Sequence, residues 1–137
     1  GAQWLEVVRS SYADLGLSAT VNDFLTEPWA ALEEADLVVS GGGTLTVSEL
    51  AAAGRPALMI PAPESSQRAN ARAMVRAGGA RVVDQSETTS GALAERLAEL
   101  LGDSRQLLRM AAATRSMAFP DAAQRIAGRL RAIGGLA

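Results

Sequence analysis

Apolar positions recur at helical spacing over most of this chain, and short, continuously apolar runs interrupt them. The spacing of Leu5, Val8, Tyr12 and Leu15 in "QWLEVVRSSYADLG" predicts a helix over 3–16 that stops at Gly16. "SATVNDF" (18–24) alternates imperfectly and reads as a strand. "TEPWAALEEA" (26–35) reads as a short helix, with Thr26 as N-cap and a proline that the first turn tolerates. "DLVVS" (36–40) and "PALMI" (56–60) are short apolar strands, the second bracketed by prolines. Between them a helix runs to Ala53 and ends at Gly54, with Pro56 just beyond. "SQRANARAMVRAGG" (66–79) predicts a helix with Ser66 as N-cap and Gly78 as stop, followed by the strand "ARVVD" (80–84). The last third predicts three helices, over 90–102, 103–117 and 120–134. Asp103 is the N-cap of the second, and Ile126, Leu130 and Ile133 share one face of the third.

Strand and helix thus alternate four times with short connections. That order predicts an α/β fold: a Rossmann-like parallel sheet of about four strands with helices on both faces and a helical C-terminal third. Ligands of such sheets bind at the carboxyl ends of the strands. Here those ends are Leu25-Thr26, Ser40 to Thr44, Pro61 to Ser66 and Asp84 to Ser86.

Composition narrows the chemistry. With 137 residues the chain has about one domain's length, read as a single unit over 1–137. Hydrophobic residues make up 48% but aromatics only 4%, so the core must be mostly Ala, Leu and Val. The net charge of −2 offers no basic footprint for nucleic acid. No apolar run approaches the roughly 18 residues of a membrane span. There is no Cys, His or Lys, and all 13 basic residues are Arg. That excludes a Ser-His-Asp triad, a Schiff-base lysine and a Walker-type phosphate loop, and it leaves no plausible zinc set. Neither a metal nor a cofactor is expected. The chain opens on Gly1 rather than Met and is expected to be a fragment.

The chemistry that remains centres on "SGGGTLTVSEL" (40–50), where three glycines separate an apolar strand from a helix. A helix start carries unpaired N–H groups and the positive end of the macrodipole, and glycines before it let an anion, commonly a diphosphate, come close. A tight strand-to-helix turn without a ligand explains the glycines equally well. Glu49 has two readings as well. "TVSE" (46–49) has the form of a capping box, with Thr46 as N-cap and Glu49 as its partner. If the helix starts nearer Thr44, Glu49 lies more than a turn inside it and offers two acceptor oxygens to neighbouring hydroxyls, as on a ribose. Gln67 and Asn70 share a face at the start of the next helix, suited to sugar hydroxyls or to a solvated surface.

Taken together, "DFLTEPWAALEEADLVVSGGGTLTVSELAAAGRPALMIPAP", "QRANARAMVRAGGARVV" and "FPDAAQRIA" resemble the donor half of MurG-type UDP-N-acetylglucosamine transferases, two-domain (GT-B) enzymes. The resemblance covers nearly the whole chain and is most specific over 36–61. It implies the C-terminal half of an inverting hexosyltransferase of peptidoglycan synthesis, which passes N-acetylglucosamine from its UDP carrier to a lipid-linked muramoyl-pentapeptide. It implies that the Leu25 backbone reads uracil. Gly42, Gly43, Thr44, Leu45, Thr46, Val47 and Ser48 would line the nucleotide-sugar, Glu49 would hold the ribose, and Gln67 with Asn70 would meet the sugar hydroxyls. No catalytic residue is assigned; the base, the acceptor site and the peripheral contact with the inner face of the plasma membrane are implied for a domain outside this chain, and the chain is also expected to lack the first strand of its own donor domain. The alternative is a donor half or partner-dependent subunit of another GT-B enzyme with a different UDP-sugar. The chain departs from the family's usual pattern in Gly41 and Gly42, in Pro28 and in the short "PAPESS" loop before Gln67. Those departures bear on the sugar and phosphate end more than on the nucleotide end.

Overall fold

The computed structural model describes residues 2–134. They form two compact units that divide after Ala31.

The first unit begins with a short 3-10 turn (Ala2–Trp4) and α1 (Leu5–Asp14). Gly16 takes the left-handed conformation, φ 65°, as a helix stop requires. The N–H groups of Gly16 and Leu17 return to the carbonyls of Ala13 and Tyr12 and close the helix end. Residues 18–24 form no strand, which corrects the four-strand expectation. A strand persists only as a member of a ladder, and among the described residues this segment enters none. It is exposed apart from Val21, whose carbonyl accepts from Arg9 Nη2 at 3.1 Å. α2 (Pro28–Glu34) carries the boundary between the units.

The second unit holds a three-stranded parallel sheet in the order β1 (Val38–Ser40), β2 (Ala57–Met59), β3 (Ala80–Val82). Val38 pairs with Ala57 and Ala57 with Ala80. The central strand is buried throughout, as expected of an apolar run between prolines that is covered on both faces. Ala57 and Met59 point to one face. There they pack with Leu50 of α3 (Thr44–Ala53), Ala71 and Met74 of α4 (Ser66–Ala77), and Ala80. Leu58 points to the other face, against Leu100 of α5 (Ser90–Leu101) and Met110 of α6 (Ser104–Arg115). Each fully buried Leu or Met contributes roughly 1.5–3 kcal/mol relative to exposure.

Gly54 and Gly78 end α3 and α4 in the left-handed conformation, as the sequence predicts. Asp103 caps α6, its carboxylate accepting from the Gln106 N–H at 2.9 Å. The predicted Ser66 cap moves by one residue: Ser65 holds the N-cap position and Ser66 opens the helix. α7 (Ala122–Gly134) is helical as predicted, but Ile126, Leu130 and Ile133 remain exposed. Among the described residues no helix is long and apolar enough to cross a membrane.

Candidate functional site

The site is built where β1 ends. Ser40 closes the strand, and its Oγ accepts the Gly42 N–H at 3.1 Å. Gly42 is buried and left-handed, with φ 82°, a conformation that favours glycine. Gly41 is explained by a neighbour: a Cβ there would stand 3.0 Å from Gln67 Oε1. Gly43 has neither reason. Its backbone, φ −58° and ψ 153°, suits any residue, and a Cβ would meet only Thr46 Oγ1, at an ordinary 3.8 Å. Nothing within the described residues forbids a side chain at Gly43, and it is the residue that opens the helix.

Gly43 is the N-cap of α3, and its carbonyl accepts the first helical bond, from Val47 N–H at 2.9 Å. The helix therefore starts at Thr44, and Thr46 is not its cap. The capping-box reading of Glu49 falls with that, because Glu49 stands six residues into the helix. No side chain caps the terminus, and among the described residues the N–H groups of Thr44, Leu45 and Thr46 have no acceptor. Thr44 and Leu45 are exposed. Val47 packs into the core beneath them, and the Ser48 hydroxyl donates back to the Thr44 carbonyl at 3.1 Å. Glu49 is half-buried and lies one turn beyond Leu45 and Thr46. Helical Cα–Cβ bonds tilt toward the N-terminus, so its side chain leans toward the uncapped end.

The wall opposite comes from α4. Gln67 Oε1 accepts the Ala62 N–H at 2.9 Å. A backbone N–H can be met only by an acceptor, so the amide orientation is fixed and Gln67 Nε2 keeps the donors a ligand would meet. Asn70 Nδ2 donates to the Gly42 carbonyl at 3.0 Å and to Thr44 Oγ1 at 3.2 Å. Arg68 pairs with Asp84 at 2.7 Å and ties the first turn of α4 to the end of β3.

The structure thus brings Gly42 to Glu49, Gln67 and Asn70 together at the carboxyl edge of the sheet. Leu25 belongs to the first unit, exposed on irregular backbone before α2. Sequence reasoning missed Ser40 and Ala62, which hold Gly42 and Gln67; a polar residue closing an apolar strand just before glycines was the available signal for Ser40. The site is an open ledge, not a cavity. A hollow of about 650 Å³ beside α3 shares only Ser48 with the residues of the ledge and is otherwise lined by Ala51, Arg115 and Met117 among others.

This fold and ledge define an α/β domain in which a parallel sheet ends beside a helix terminus without a side-chain cap. Residues 1–126 match the glycosyltransferase family 28 C-terminal domain, and the chain belongs to that family. It is 41% identical over 138 residues to the UDP-N-acetylglucosamine–N-acetylmuramyl-(pentapeptide) pyrophosphoryl-undecaprenol N-acetylglucosamine transferase of Rhodospirillum centenum, covering 98% of this chain and 36% of that protein. The protein of the same name in Halorhodospira halophila is 46% identical over 131 residues, covering 93% and 37%. The crystal structure of Acinetobacter baumannii MurG matches 96% of this chain and 39% of that one, with a TM-score of 0.84 at 33% identity. The chain therefore spans little more than a third of the length of the curated relatives it matches. The resemblance to the donor half of MurG-type enzymes is borne out in family and in fold, with three strands in place of four.

Proposed function

We propose that this chain binds UDP-N-acetylglucosamine and is the donor half of an inverting transferase that passes the sugar to a lipid-linked muramoyl-pentapeptide. The observation that carries the reading is the α3 terminus: three N–H groups without acceptors among the described residues, behind a glycine that the packing of those residues does not require. The names of the relatives supply the substrate, and the ledge supplies the chemistry. The diphosphate lies against Thr44 to Thr46, where a helix terminus contributes typically ~0.3–1 kcal/mol and up to about 2 when partly buried. Glu49 takes the ribose hydroxyls with its two acceptor oxygens. Gln67 Nε2 donates to oxygens of the sugar.

In the transfer step an acceptor hydroxyl attacks the anomeric carbon and UDP leaves with the bonding pair. The helix dipole favours the charge gathering on the departing diphosphate. The base that takes the hydroxyl proton and the acceptor site belong to the other half of the enzyme, which also carries the peripheral contact with the inner face of the bacterial plasma membrane.

Calorimetric titration of the chain with UDP, UDP-N-acetylglucosamine and UDP-glucose tests this. UDP should bind, and UDP-N-acetylglucosamine should bind more tightly than UDP-glucose. Absence of UDP binding at about 1 mM, the weak end of specific affinities, overturns the reading. Preference for UDP-glucose would move the chain to a GT-B enzyme with another donor sugar.

A further inference from the structure

We propose that Asn70 is a positioning residue: its amide clamps the glycine loop to the first turn of α3 and holds the terminal N–H groups in place for the diphosphate. This rests on the donor-half reading and changes the part of Asn70 within it, from sugar contact to loop clamp.

The geometry points there because both hydrogens of the Asn70 amide are committed. One goes to the Gly42 carbonyl at 3.0 Å and the other to Thr44 Oγ1 at 3.2 Å. A carbonyl can only accept, so Nδ2 and not Oδ1 faces the loop. No donor hydrogen remains for a sugar hydroxyl. The loop needs such a clamp. Three successive glycines have access to far more backbone conformations than other residues, and Gly42 must be kept left-handed. Two side chains hold that peptide unit from opposite ends: Ser40 Oγ takes the Gly42 N–H, and Asn70 takes its C=O.

The second arm of the clamp acts on Thr44. By accepting from Asn70, the Thr44 hydroxyl is engaged across to α4, and the helix terminus carries no side-chain cap. The clamp is mounted on a rigid element. Ala71, the next residue, is buried in the same core cluster as Leu50 of α3, so both helices are fixed against one face of the sheet.

The test is a ligand series on the 137-residue chain: uridine, UDP and UDP-N-acetylglucosamine, with wild type, Asn70→Ala and the isosteric Asn70→Asp, which cannot donate when ionised. A clamp predicts that both variants lose about five- to tenfold in affinity for UDP and for UDP-N-acetylglucosamine alike, while uridine changes by less than about twofold, because only the phosphate end is disturbed. Loss for UDP-N-acetylglucosamine alone, with UDP unaffected, is the signature of a sugar contact and overturns the proposal. Amide hydrogen exchange on the ligand-free chain is a second readout. Protection of the Gly42 and Val47 N–H groups should fall by about tenfold in both variants, with Ala57 to Met59 unchanged. Unaltered exchange at Gly42 and Val47 refutes the clamp whatever the nucleotide results. Wild type that fails to bind UDP, with exchange at Gly42 raised in the variants, sinks the donor-half reading and leaves the clamp standing.

Discussion

At the amino end of β3, Gly78 and Gly79 turn the chain from α4 into the sheet; at the carboxyl end of β1, Gly41 to Gly43 turn it out again into α3. The first pair is closed by the protein itself. Gly78 has φ 88°, and a Cβ on Gly79 would collide with Thr114 Oγ1 and stand 3.2 Å from Thr114 Cα. Thr114 is fully buried, its hydroxyl directed at the carbonyls of Met110 and Gly79 at 2.9 and 3.2 Å. In the triplet that kind of explanation runs out at the third residue. Gln67 accounts for Gly41 and the left-handed backbone for Gly42, but a Cβ on Gly43 would meet only Thr46 Oγ1, at an ordinary 3.8 Å, in front of an uncapped helix. Glycine therefore serves packing at one edge of the sheet and vacancy at the other. Substitution should separate the two: the amino edge should answer in stability, the carboxyl edge in affinity.

The largest effect is expected from Gly79→Ala. The new methyl meets backbone as well as a buried hydroxyl, so little can move aside cheaply. Overpacking of about 1–3 kcal/mol together with damage to the Thr114 hydrogen bond of about 1 kcal/mol gives a loss of roughly 3 kcal/mol. Urea unfolding measures it, and nucleotide affinity of the folded fraction should stay as in wild type. A midpoint shift worth less than about 1 kcal/mol, the centre of ordinary point substitutions, would break the packing half of the contrast.

Glu49→Gln comes next and should behave in the opposite way. The amide keeps the size but replaces one acceptor oxygen with a donor. Affinity for UDP should fall by roughly 1.5–3 kcal/mol, the range for hydrogen bonds to charged groups. Stability should change by less than about 0.5 kcal/mol, because Glu49 caps nothing in this structure. Unchanged affinity in the titration would remove Glu49 from the ribose.

The same contrast explains what could be seen in the sequence. The seven α-helices and three strands of the described residues were legible, because each carries its own pattern and its own boundary signal; Gly54, Gly78 and the Asp103 cap are local features. The strand over 18–24 was misjudged because a strand depends on a partner, and pairing is not a local property. In doubly wound sheets consecutive strands need not be neighbours. The apolar face of α7 was read correctly as a pattern, but the pattern does not say what it packs on, and Ile126, Leu130 and Ile133 are exposed. At the site, the glycines and Glu49 stood out by residue type. The choice between cap and ledge did not, because it turns on whether the helix starts at Thr44 or at Thr46, a shift of two residues at a boundary. The clamp from Asn70 was hidden for another reason: a side-chain bond across 28 residues, from Asn70 to Gly42, leaves no periodic trace.

The smallest expected effect gives the sharpest test, because it should move stability and affinity in opposite directions. Serine is a better N-cap than glycine, and the extended backbone of Gly43 already has N-cap geometry. A Cβ there meets no obstacle. In Gly43→Ser the hydroxyl can accept from the Leu45 or Thr46 N–H, satisfying one of the groups that the wild-type helix leaves open. The variant should therefore gain a few tenths of a kcal/mol, up to about 0.5, in urea unfolding. On the proposed reading, affinity for UDP should drop by about 1 kcal/mol, close to the value of one hydrogen bond, because a donor is consumed and the added side chain stands in the path proposed for the diphosphate. Uridine, which has no phosphate, should bind as it does to wild type. If Gly43 is only a tight turn, Gly43→Ser should raise stability and leave UDP binding untouched, and the open edge of the sheet would then need no ligand to explain it.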